Sequence, residues 1–209
     1  MTTPPEASAP PDRLAPLLAF LDGWLALACR VVRPLARAAG ALILAAAFAV
    51  ATEVVLRGVL RISLGGADEI SGYAVAIATT WGLALVLLER GHVRVDALYV
   101  RLPARAQGLL DLLAVVVLTA VLAGLGQRAG FVLVESLAFG SRATTPLATP
   151  LWIPQSLWFA GFVVHLFVVV PLALRAGIAF ARGDLSSART LVGPPRFRDP
   201  AALGSGRES

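Results

Sequence analysis

Glu89-Arg90-Gly91-His92-Val93-Arg94-Val95-Asp96 interrupts the chain where the unbroken apolar run 82–88 stops. A polar, strongly basic octapeptide at the end of such a run reads as the exit of a membrane-spanning helix rather than the interior of a soluble fold. Long apolar runs lie on both sides of it. Outward from this junction the chain divides into four spans, at about 38–56, 70–88, 109–134 and 152–174. Each is near or above the roughly 20 residues needed to cross a hydrocarbon core of about 30 Å.

Composition supports the same reading. Of 209 residues 57% are hydrophobic and 15% charged, and the mean hydropathy is +0.78. A soluble domain of this size could not cover its surface with so few charges. The net charge is +5, carried by arginine without lysine. The arginines flank the apolar runs, where anionic head groups and topology account for them, so nucleic acid is not expected as a partner. Cys29 is the single cysteine and has no ligand cluster around it, so neither an internal disulfide nor a metal site is expected.

The N-terminal tail, 1–13, is rich in Pro, Ala, Ser and Thr and lacks periodicity, which predicts disorder and no cleavable signal peptide. Over 14–33, Leu14, Leu17, Leu18, Leu21, Trp24, Leu25, Ala28, Val31 and Val32 recur at helical spacing opposite Asp22, Arg30 and Arg33. This predicts an amphipathic helix lying in the membrane interface, with Pro34 ending it. A four-helix transmembrane domain then occupies 35–175, and the Ser-, Pro-, Gly- and Arg-rich segment 185–209 is expected to be a disordered tail.

Polar residues within this frame are few. Glu53 and Arg57 are four apart at the end of the first span, in the order that favours a structural ion pair. Asp68 and Glu69 precede the second span and suit the positive end of a helix. In the connector, His92, Arg94 and Asp96 alternate with valines, the period of an extended segment with one polar side. No nucleophile or second metal ligand accompanies them, so a hydrogen-bonded network or a partner contact is expected rather than catalysis. Gly126 and Gly130 have the small-xxx-small spacing of close helix contacts. Gln127 and Arg128 are placed near the end of the third span, where the arginine can snorkel outward. His165, halfway along the fourth span, is expected to be a neutral imidazole bonded to a neighbouring helix. Fourteen of the eighteen arginines fall on the side that holds both termini and the 89–105 connector. The positive-inside rule makes that side cytoplasmic and puts Asp68, Glu69 and the 135–151 loop outside.

With these residues in view, the chain resembles the small membrane subunit of tripartite ATP-independent periplasmic (TRAP) transporters. A span ending in Val55-Leu56-Arg57, the acidic pair Asp68-Glu69, the Gly-His-Val-Arg-Val-Asp segment 91–96 and the entry Pro150-Leu151-Trp152-Ile153-Pro154 occur in that family's order. The resemblance covers about 35–174. The family often carries a tryptophan shortly before the acidic pair, where this chain has Gly65, Gly66 and Ala67. The resemblance implies a multi-pass protein of the bacterial inner membrane with no catalytic centre and no cofactor. Its implied partners are a large transport subunit, which it braces, a periplasmic solute-binding protein, which it helps to dock, and membrane lipids. The implied process is sodium-coupled uptake of an organic acid or related solute. On this basis His92, Arg94 and Asp96 are expected to contact the large subunit or fix the connector, and Asp68 and Glu69 to lie where the binding protein docks.

Three other classes fit less well. A bis-histidine haem needs two histidines at matching depth, and only His165 lies in a span. An enzyme would need a triad, metal cluster or phosphate loop, none of which the sequence spells. A self-contained homo-oligomeric channel or transporter would have to carry solute without a partner.

Overall fold

The computed structural model describes residues 14–63, 65–89, 101–184 and 191. They form four long helices: α1 (Ala15–Val55), α2 (Ala67–Leu88), α3 (Ala104–Phe139) and α4 (Trp152–Ala181). All four are long and apolar enough to cross a membrane. α4 is the hub, packing on α2, α3 and α1, while α1 packs chiefly on α2. Every helix outruns its expected span because hydropathy falls at the first charges, whereas the backbone hydrogen-bond ladder continues past them.

The expected break at Pro34 is not there. Residues 14–33 and the first span form one helix of 41 residues with Pro34 inside it, about 61 Å long by helical rise. The pattern of burial explains why. Leu21, Ala28, Leu35, Leu42 and Ala49 form one inward row, and Leu25, Val32, Ala39, Ala46 and Glu53 another. Both rows repeat every seven residues, the spacing of a left-handed helix–helix seam. Pro34 is exposed and outside the seam. It removes one i→i−4 hydrogen bond without disturbing the packing face, a loss that neighbouring helices allow a membrane helix to tolerate. Asp22, expected on a polar outer face, instead pairs with Arg175 of α4 (Oδ1–Nε 3.0 Å). Beside it the rings of Trp24 and Phe167 lie 5.3 Å apart.

α3 shows the same heptad burial at Gly108, Val115, Leu122, Ala129 and Ser136. Gly126 and Gly130 face α4, where added Cβ atoms would lie 3.4 Å from Phe162 Cβ and 3.2 Å from Phe159 Cε2. These glycines make room for rings rather than for a backbone. α2 and α4 approach closely at Gly161, where a Cβ would lie 2.5 Å from Thr80 Cβ. Four residues earlier on α4, the Leu157 carbonyl accepts a hydrogen bond from Trp81 Nε1 at 2.9 Å. Gly161→Val is therefore expected to force α2 and α4 apart, costing about 1–3 kcal/mol as overpacking does. The check is a lower midpoint of thermal unfolding in detergent; an unchanged midpoint would show that the contact yields.

Candidate functional site

One end of the bundle gathers the two helix connections into a single cap. After Val55 the first helix widens into a π turn, Leu56–Leu60, and stops at Arg61, which is in the left-handed region (φ 55°). Glu53, only 3% exposed, holds this exit. Its Oε1 accepts from Arg57 Nη2 at 2.8 Å and from Ser63 Oγ at 2.6 Å. The same hydroxyl receives the Gly65 backbone N–H at 3.2 Å. A carboxylate inside α1 thus pins the connection that follows it.

The α3–α4 connection is also built from backbone bonds. Gly140, at φ 59°, closes α3 in the left-handed conformation, its N–H returning to the Ser136 carbonyl. Arg142 and Pro150 form an antiparallel bridge. Between them the Ala143 N–H donates to the Thr149 carbonyl and the Ala148 N–H to the Thr145 carbonyl, both at 3.0 Å. The result is a small ordered hairpin with Pro146 and Leu147 at its tip.

That tip meets the other connection. An added Cβ on Gly65 would lie 3.6 Å from Pro146 Cβ, and one on Gly66 only 2.6 Å from Leu147 Cγ. Gly65 and Gly66 thus leave room that the tip of the hairpin enters through Pro146 and Leu147. Glu69 ties the two together. Its Oε1 accepts from Tyr73 Oη at 3.0 Å and its Oε2 from Thr145 Oγ1. The hydroxyl and backbone N–H of Thr149 are directed at the same carboxylate.

The expected docking pair thus separates into two roles. Glu69 is half-buried and engaged on several sides, while Asp68 is exposed and its carboxylate has no hydrogen bond or ion pair among the described residues. Tyr73, Thr145, Thr149 and Ser63 were not singled out from sequence as partners of these carboxylates. Tyr73 carried a signal, standing one turn after Glu69; the threonines reach it only because the loop folds back.

At the opposite end, Arg33, Ala36 and Arg37 of α1 line a cleft of about 350 Å³ with Leu85 and Glu89 at the end of α2. His92, Arg94 and Asp96 follow this point in sequence and lie outside the described residues. His165 is buried within α4. Among the described residues no three His, Cys, Asp or Glu side chains converge as a metal-binding group.

A family model described as "Tripartite ATP-independent periplasmic transporters, DctQ component" matches residues 46–178. The chain belongs to this family. The match starts in the second half of α1 and runs through α2 and α3 into α4, taking in both capped connections. The DctQ-family chain is accordingly a multi-pass membrane protein, the small subunit of a TRAP transporter. Searches of curated proteins and of solved structures found no match.

Proposed function

We propose that this DctQ-family subunit braces the large transport subunit in the bacterial inner membrane and helps a periplasmic solute-binding protein to dock, for sodium-coupled uptake of an organic acid or related solute. The observation that carries the reading is the family match across all four helices. Two features support the bracing role. Each helix runs unbroken between its ends, unlike the interrupted helices that form substrate sites in secondary transporters. The cap, bonded within itself, is suited to presenting a fixed surface. The arginine excess supports an orientation with the cap outside and the Arg33–Glu89 cleft in the cytoplasm. The single helix α1 exceeds what a bilayer needs, so its N-terminal end runs beyond the hydrocarbon among lipid head groups.

The test is reconstitution. Vesicles holding the subunit with its large partner are expected to accumulate solute when the binding protein and a sodium gradient are supplied, and vesicles holding the subunit alone to accumulate none. Flux from the subunit alone would instead establish the homo-oligomeric transporter. A further expected result concerns the connector: Arg94→Ala or Asp96→Ala lowers recovery of the large subunit on co-purification. Undiminished recovery and uptake in both variants would remove that contact. Labelling of a cysteine placed at Gly91 from the outside would overturn the orientation.

A further inference from the structure

Arg128 stands at membrane depth on a face of α3 that this chain leaves bare. Its depth follows from direct contacts. The glycines on either side of it in sequence, Gly126 and Gly130, lie against Phe162 and Phe159, which brackets Arg128 at the level of Gly161. Gly161 in turn lies against Thr80 of α2. Thr80 is thirteen residues from the first residue of α2, Ala67, and eight from the last, Leu88. That places it about 20 Å and 12 Å from the two ends by helical rise. Hydropathy had put Arg128 near the end of its span, but α3 continues eleven residues beyond it to Phe139, about 16 Å further.

Its direction follows from helical geometry. Two residues from each glycine is about 200° around the helix, so Arg128 faces away from α4. It belongs to the stripe Val117, Val121, Gly124, Arg128, Phe131 and Glu135, all exposed. Among the described residues no hydrogen bond or ion pair reaches its guanidinium. Two other charges within the helices, Glu53 and Asp111, are by contrast buried. An arginine left to lipid at this level is costly, and the roughly 12 Å to the nearer end of α2 is more than one side chain spans by snorkelling.

We propose that this face of α3 is where the large transport subunit seats within the membrane, and that a membrane helix of that subunit supplies a carboxylate to Arg128. This rests on the bracing role proposed above. The charge selects the occupant. Hydrocarbon has no counter-ion, and a second copy of this chain brings to the same face only Glu135, two turns from the level of Arg128. A membrane protein with an acidic residue at matching depth satisfies the guanidinium, and the flanking Val121, Gly124 and Phe131 supply a surface with a depression at its centre for close helix approach.

The experiment uses the full complex, with a photo-crosslinking residue at Val121 or Phe131 in an otherwise unaltered chain, alongside the variants Arg128→Leu and Arg128→Lys. Crosslinks are expected to reach the large subunit from both positions. Arg128→Leu, which inserts at least as well as the parent because it removes a charge from the bilayer, is expected to lower co-purified large subunit about tenfold, and Arg128→Lys less. Crosslinks confined to lipid or to a second copy overturn the proposal, as does undiminished recovery with Arg128→Leu. In either case a parent complex that still forms leaves the bracing role standing; failure of the parent chain to bind the large subunit removes both.

Discussion

Replacing Glu69 with alanine is expected to abolish binding-protein-dependent uptake, by tenfold or more, while the large subunit still co-purifies at the parent level. Glu69 joins two pieces of chain: its own helix through Tyr73 and the loop through Thr145 and Thr149. Without the carboxylate, these hydroxyls lose a charged acceptor, whose hydrogen bonds are stronger than neutral ones. The hairpin then keeps only its own short backbone bonds and the Leu147 contact at Gly66. A loop so released samples many conformations, and a partner must order it again on binding. Asp68→Ala removes an exposed carboxylate that holds nothing in place, so it is expected to weaken docking less and to leave the loop ordered. Limited proteolysis separates the two: cleavage within 141–150 should accelerate in Glu69→Ala and not in Asp68→Ala. Equal uptake in Glu69→Ala and the parent, with the loop cut faster, would show that the cap is not the docking surface. Charge reversal at both positions with docking intact would remove the role from both residues.

What the sequence reveals and what it hides follow from the range of the forces involved. Hydrophobic length is a local property, so four apolar runs can be read directly, and each falls in one of the four long helices observed. The error at Pro34 arose from applying a local rule to a helix held by a non-local one: two heptad rows pass the proline on its far side and make the missing hydrogen bond affordable. The level of Arg128 within the bundle was hidden for a related reason. Hydropathy locates where a span becomes polar, whereas depth is set by which neighbours a residue sits beside, here Phe159, Phe162 and, through Gly161, Thr80. Glu53 and Arg57 could be paired from sequence because they are one turn apart. Ser63, which completes that group, could not, since it reaches Glu53 through a π turn and a left-handed arginine that no propensity predicts. The threonines around Glu69 depend on a loop 76 residues away in sequence.

The Glu53–Arg57 pair should respond unequally to loss of its two members. Glu53 is nearly sealed, its side chain 4% exposed, while the Arg57 side chain is 60% exposed. Glu53→Gln leaves a guanidinium that can turn to water and an amide that still meets Ser63, so little stability is expected to change. Arg57→Leu does the reverse. It strips a counter-ion from a carboxylate held inside the protein, so the midpoint of thermal unfolding in detergent is expected to fall. The exit of α1, pinned by Ser63 and Gly65, is expected to loosen first, because water must reach the unpaired carboxylate there. The double variant Glu53→Gln, Arg57→Leu decides between this cause and simple loss of arginine packing. Removing the buried charge as well should recover most of the lost midpoint, a coupling that additive effects cannot produce. If the double variant is as unstable as Arg57→Leu alone, then the contribution of Arg57 comes from its aliphatic stem, and the carboxylate is held without its help.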